Sequence, residues 1–479
     1  MTGGGVHVTG PSSDLEPNST RPFDGVDADA LGDDAWQARE NNHTEVDPTV
    51  NAFAVCHEPT QRVVPGPIRY TVSRSPSSGA WNMPTSPVSR ITARIAETAE
   101  PFIRFFSEYA DHRDAAGPDA SDFVAGNPQE PVIDGYAEAI RRHAYSDDPR
   151  WFAYTMNDPG AQAAAAASLN ERLGSRFRPD DIVMTNAAMA GLATSLRAVC
   201  DDGDEVIMVS PPHFLYEPMI LAAGATAVRV RMREGDFDVD VDGIAGAITA
   251  RTRAVIVNSP HNPTGRIYPP LTLRRLADAL TEGSRTNGRA VYLLSDEAYH
   301  RIVFDGNTFE SPAMHYPSSF LIYTFGKTLL TPGQRLGYIA VPPDMPDREE
   351  VLRSLTVAQL VSGWAWPNAL LQHALRDLEG LTIDVGHVQE RRDLMVAALR
   401  DGGYELHSPE AAFYLLVRSP IEDDEKFTEL LAGNGVFVMP GRLLEAPGFF
   451  RISLTSSDAM IERALPLFAE TLAQAGGRA

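Results

Sequence analysis

Lysine is nearly absent from this chain. Of its 41 basic residues only Lys327 and Lys426 are lysines, so chemistry that needs a primary amine has two candidates. Lys426 closes the charged stretch Ile421-Glu-Asp-Asp-Glu-Lys426, which reads as solvated. Lys327 follows an apolar run at 320–324 and is enclosed by Phe325, Gly326, Leu329 and Leu330. Such an enclosure suits an amine that acts as a nucleophile or Schiff-base former. Where the chain needs only positive charge, it uses arginine.

Three further stretches carry candidate chemistry. Asn258-Ser-Pro-His-Asn-Pro-Thr-Gly265 follows the apolar run 254–257; taken alone it is also ordinary Pro/Gly turn chemistry. Leu294-Ser-Asp-Glu-Ala-Tyr299 places two acids directly after an apolar run. Burying them is costly unless a cation or donor meets one of them, although a solvated helix cap also explains such an Asp. Gly448-Phe-Phe-Arg451-Ile-Ser-Leu454 puts an arginine inside an apolar run. An inward guanidinium there calls for a carboxylate or phosphate, while β alternation also allows it to face outward.

The elements that must position these groups follow from the apolar pattern. Runs at 205–209, 226–230, 254–258, 290–295, 320–324 and 336–341 read as strands. Helical patterns lie between several of them, including 187–200 and 271–282. That alternation predicts a mainly parallel sheet covered by helices, with ligands beyond the carboxyl ends of the strands. From about Leu381 the pattern changes to a long helix through Arg400, strands at 412–417 and 449–454, and a final helix near 461–473. This predicts a second, smaller α+β unit. A helical repeat from Ser86, with Ile91, Ile95, Ala99, Ile103 and Phe106 on one face, is a candidate to complete it.

Composition bounds what such a molecule can do. The 479 residues suffice for several domain-sized units, and the net charge of −23 disfavours nucleic acid or an anionic membrane as partner. Residues 1–50 hold ten acidic and two basic residues, hence −8 of that total, with little apolar periodicity. Residues 1–85 are therefore expected to be an extension, largely disordered or packed on the body. No apolar run approaches the ~20 residues of a membrane helix, and the opening MTGGGVHVTG lacks the pattern of a signal peptide. Two cysteines, Cys56 and Cys200, make neither a disulfide framework nor a thiolate metal site. A reducing, cytoplasmic setting without a metal is the expectation.

Taken together and in this order, the four stretches resemble the class I and II aminotransferases, fold-type-I enzymes that depend on pyridoxal 5'-phosphate. The resemblance spans roughly residues 86–475. It implies an α/β fold with a mainly parallel seven-stranded sheet sandwiched by helices in a large cofactor-binding domain, 131–380. A small α+β domain would be built from 86–130 and 381–479. Lys327 would carry the cofactor as a Schiff base and then move the α-proton. Asp296 would pair with the pyridine nitrogen, and Tyr299 and Asn262 with the phenolic oxygen. Arg335 and Thr324 would bind the phosphate, with the helix N-terminus at Ala187, Ala188 and Met189; the family usually has glycine where this chain has Ala187. Arg451, with Asn262, would hold the substrate carboxylate. Tyr154 would reach the phosphate of a partner subunit in a homodimer.

Within Ser210-Pro-Pro-His213-Phe214-Leu-Tyr216, either His213 or Phe214 would stack on the cofactor ring. His213 could instead act as a second proton carrier. The resemblance implies an amino-acid substrate and a 2-oxo-acid acceptor. Elimination, decarboxylation, cyclisation and oxidation use the same groups and stay open as alternatives. A regulator with an aminotransferase-like domain would need a folded basic DNA-binding module, and the acidic extension does not supply one.

Overall fold

A computed structural model describes residues 87–476; the predicted extension, 1–85, lies outside the described residues. Short β1 (Ser121–Asp122) precedes the strands of the central sheet. These are β2 (Ile182–Thr185), β3 (Glu205–Ser210), β4 (Thr226–Arg231), β5 (Thr252–Asn258), β6 (Tyr292–Asp296), β7 (Ser319–Thr324) and β8 (Gly337–Ala340). The seven lie in the order β2-β8-β7-β6-β5-β3-β4. β8 runs antiparallel to both neighbours, and every other pair is parallel. The mainly parallel, helix-flanked sheet predicted from the sequence is thus present.

The strands are nearly all apolar because both faces of the sheet are covered. Val206, Met208, Ile256, Leu294 and Phe320 pack toward helices Ala187–Val199, Tyr216–Ala222 and Arg348–Ser362. Their neighbours Ile207, Val209, Val255, Val257 and Leu293 point the other way, toward helices Val241–Ala247 and Pro270–Asn287. Pro270 opens the latter helix and Gly288, in a left-handed conformation, ends it. The link from β7 to β8, residues 325–336, holds only the four-residue helix Phe325–Thr328, and β8 returns antiparallel to β7. As a consequence its amino end lies at the same edge as the carboxyl ends of the parallel strands.

A second body of structure combines both sides of the described chain. β9 (Tyr414–Arg418), β10 (Val436–Phe437), β11 (Met439–Pro440) and β12 (Phe449–Ser453) complete the strands. β12 lies between β11 and β9, antiparallel to each, and β1 pairs in parallel with β10. Helices Val385–Asp401, Asp424–Gly433 and Asp458–Gln474 cover them, each started by a capping side chain, Asp384, Asp423 and Ser457. The helix Arg90–Ala116 lays Phe102, Phe105, Phe106 and Tyr109 against Val124, Phe437, Met439 and Leu444.

Candidate functional site

The predicted residues converge where the strands of the central sheet end. Asp296 is the last residue of β6, and Tyr299 follows three positions later. Thr324 ends β7 and caps the four-residue helix that carries Lys327, accepting a hydrogen bond from the Gly326 amide at 3.3 Å. Asn262 lies four residues beyond the end of β5, its amide donating to Asn258 Oδ1 at 2.8 Å. Arg335 leads into the amino end of β8. Lys327 Nζ lies 5.9 Å from the Tyr299 ring centre and 5.8 Å from that of Phe413.

Asp296 is buried, and burial raises its carboxyl above the ordinary range. The Tyr216 hydroxyl, the Ala298 amide and the charge of Lys327 act against that shift. The Tyr216 hydroxyl donates to Asp296 Oδ2 at 2.6 Å, and Asn258 Nδ2 donates to the Asp296 carbonyl at 2.8 Å. Arg451, on β12, is 4% exposed and has no carboxylate partner among the described residues. Its Nη1 donates to Asn262 Oδ1 at 3.1 Å and its Nη2 to the Val124 carbonyl at 2.8 Å. Its guanidinium lies 4.3 Å above the Tyr414 ring, and its Nε is buried without a partner. Tyr414 and Tyr299 share a hydrogen bond. Burial and then Tyr414 push the Tyr299 hydroxyl up, whereas Lys327 and Arg451 outweigh burial at Tyr414 and draw it down.

Beyond the end of β2, Ala187 opens its helix at φ 66°. Ala188 and Met189 form the same first turn, whose amides lack a side-chain cap, and Asn186 Nδ2 donates to the Trp364 carbonyl at 2.9 Å. Arg335 is exposed, bonded through Nη1 to the Pro332 carbonyl at 2.6 Å, and likewise without a carboxylate among the described residues.

His213 and Phe214 stack on each other at 4.4 Å, and each has a further ring neighbour. Phe214 stacks on Phe102 of the helix Arg90–Ala116 at 3.6 Å. The His213 ring lies 5.6 Å from that of Tyr216, and burial, together with the charges of Lys327 and Arg451, lowers its imidazole to about 3. It is therefore neutral at ordinary pH, and its Nδ1 accepts from the Leu215 amide at 3.3 Å, leaving the proton on Nε2. Tyr154 is set apart from this group, 88% exposed and 5.1 Å from the Trp366 ring.

The family aminotransferase class I and II matches residues 121–467. The chain belongs to this family. It is 31% identical over 365 residues to the aspartate/prephenate aminotransferase of Thermus thermophilus, covering 75% of this chain and 92% of that protein. The valine–pyruvate aminotransferase of Mycobacterium tuberculosis is 28% identical over 364 residues, 74% of this chain and 90% of its own. Among solved structures, an aminotransferase from Eubacterium rectale superposes with a TM-score of 0.71 at 30% identity, covering 81% of this chain and 96% of its own. The protein is a pyridoxal-phosphate-dependent aminotransferase, and of the reactions the sequence left open, transamination is the one its relatives support.

The residues present fit that cofactor. A buried carboxylate suits a pyridinium, and uncapped helix amides with an arginine free of carboxylates suit a phosphate. A lysine amine lies near that carboxylate, close enough for its charge to act on Asp296. No group of three metal-binding side chains occurs among the described residues, and no described helix is long and apolar enough to cross a membrane. The sequence reading missed Tyr216, Tyr414 and Asn258. Tyr216 and Asn258 lay inside stretches singled out for other residues. For Tyr414 the one signal was its place beside Phe413 at the start of a predicted strand.

Proposed function

We propose that this aminotransferase takes an α-amino acid by its carboxylate at Arg451 and passes the amino group to a 2-oxo acid, with Lys327 moving the α-proton. Bound pyridoxal phosphate supplies the electron sink that makes the α-carbon bond acidic. Asp296, held by Tyr216, keeps a negative charge ready for the pyridine nitrogen. Tyr299 and Asn262 donate to the phenolic oxygen, and Arg335, Thr324 and the amides at 187–189 hold the phosphate. His213 covers the ring face as a neutral imidazole. In the same reading 131–380 forms the cofactor domain, and 86–130 with 381–479 forms the small one.

The observation that carries this reading is Arg451, a buried guanidinium with an orphaned Nε in the same cluster as Lys327. Aspartate, prephenate, valine and pyruvate, the compounds in the relatives' names, differ in side chain. All bear a carboxylate beside the amino or oxo carbon, and that shared group is what Arg451 would read. The working state is taken to be a cytoplasmic homodimer, with exposed Tyr154 reaching the partner's phosphate site; a fully active monomer by light scattering would exclude that role.

The holoenzyme should convert to the pyridoxamine form on mixing with its amino acid, releasing a keto acid. Ammonia or carbon dioxide released instead would overturn transamination. Borohydride should fix the cofactor on Lys327, and recovery on Lys426 would overturn the lysine assignment. Arg451→Gln should raise KM for the amino acid by about a hundredfold while leaving cofactor affinity within about twofold, because a charge-assisted pair is lost at one ligand only.

A further inference from the structure

The segment that carries His213 is gripped at both ends by residues from outside the central sheet. At one end, Ser210, the last residue of β3, donates its hydroxyl to Glu445 Oε2 at 3.0 Å. At the other, Phe214 stacks on Phe102. Glu445 also accepts from Arg229 Nε of β4 through Oε1 at 2.8 Å, and Arg229 pairs in addition with Glu217. Glu445 adopts φ 56°, ψ 26°, a left-handed conformation that costs any residue but glycine. The residue that pays this local cost is the one whose carboxylate joins the two bodies of structure.

The turn bearing Glu445 transmits position because it is closed on itself. The Ala446 amide donates to the Gly441 carbonyl at 2.9 Å, and the Phe449 amide to the Ala446 carbonyl at 3.2 Å. A Cβ at Gly441 would lie 2.2 Å from the Ala446 carbonyl oxygen and 2.4 Å from that of Phe449. Asp424 pins the same turn from outside, accepting from the Arg442 amide at 2.9 Å and the Gly448 amide at 3.3 Å. The turn runs straight into β12, whose third residue is Arg451. Glu445 and Arg451 are thus joined by a short, closed stretch of chain, six residues apart.

We infer that Glu445 is a positioning residue for substrate binding: it ties the turn leading into the strand of Arg451 to the segment that presents His213. This rests on the reading that Arg451 takes the substrate carboxylate. The Arg229–Glu445 pair is partly exposed, 41% and 30% for the two side chains, and such pairs add little to global stability. Its loss should be felt in binding geometry first.

The test compares wild-type, Glu445→Gln, Glu445→Gly and Arg451→Gln holoenzymes. Glu445→Gly removes the carboxylate and fits the left-handed backbone, so it separates loss of the tie from loss of the fold. The probe is whichever of L-aspartate, L-valine and L-phenylalanine gives the wild-type enzyme its largest change in cofactor absorbance. Both Glu445 variants should raise KM for the probe by about fivefold, with kcat within about twofold. Cofactor affinity should stay at its wild-type value, and the thermal midpoint should not fall in either variant and should rise in Glu445→Gly, where the left-handed strain is relieved. An unchanged KM in both variants overturns the inference, as does a joint fall in KM performance, cofactor affinity and thermal midpoint, which would make the pair merely structural. An unchanged KM in Arg451→Gln overturns the carboxylate reading itself, whereas loss there with intact Glu445 variants overturns only the positioning role.

Discussion

Ala187 stands at φ 66° where the chain turns from β2 into its helix. A methyl group in that conformation meets the following carbonyl oxygen, at about 1–2 kcal/mol for a non-glycine residue. The facing residue, Gly337, makes room for it: a Cβ on Gly337 would lie 2.9 Å from Ala187 Cα and 2.2 Å from the Tyr323 carbonyl oxygen. Ala187→Gly should therefore raise stability by about 1 kcal/mol, the relief of strain exceeding the greater chain entropy of glycine. Gly337→Ala should lower it by about 2 kcal/mol or more, since both obstructing atoms are backbone. Urea midpoints at constant m-value would show opposite shifts, and a destabilised Ala187→Gly protein would mean that the methyl group packs better than its backbone is strained.

Helix Tyr216–Ala222 illustrates how an element, rather than a single residue, equips the site. Buried Tyr216 reaches across to Asp296 Oδ2, eighty positions away in sequence, at 2.6 Å. Tyr216→Phe keeps the ring and removes the donor, so cofactor affinity should fall by about tenfold, the scale of one hydrogen bond to a charged group; absorbance titration of the apoenzyme measures it. An unchanged affinity would show that Asp296 needs no second donor. This pairing was not legible in the sequence, because nothing local to Tyr216 says which strand end its hydroxyl meets. Asp296, Lys327 and Asn262 were legible because each lies within four residues of the end of an apolar run, and a parallel sheet brings such ends to one edge. β2 escaped notice: four residues, Ile182–Thr185, are too short a run to separate from the helix that follows.

At the scale of the molecule, burial of neutral imidazoles and of carboxylic acids, Glu297 most of all, sets opposing pH dependences. Burial, then neighbouring positive charges, lowers His213 to about 3; burial lowers His261 to about 4 and His300 well below its ordinary range. Between those values and about 6.5 the unfolded chain binds more protons than the folded one, so stability falls as pH drops below about 6.5. Glu297 behaves in the opposite sense. Burial raises it to about 8, although Ser311 and Ser295 donate to it at 2.6 and 2.8 Å. Its folded form holds a proton that the unfolded chain releases above about 4.5, so its contribution is complete in acid and is lost as pH rises through 8. Each such group changes stability by about 1.4 kcal/mol per pH unit within its window. The imidazoles outnumber the acids below pH 6.5 and fall silent above it, which places the stability maximum of these groups near pH 6.5. Glu297→Gln, a neutral isostere, should flatten the decline between pH 6.5 and 8 and move the maximum upward, while His261→Gln should reduce the acid-side slope by about one proton. Urea midpoints of the holoenzyme taken across pH 4.5 to 8.5 would resolve both changes, and an alkaline decline that persists undiminished in Glu297→Gln would mean that this carboxyl is already ionised at neutral pH in the folded protein.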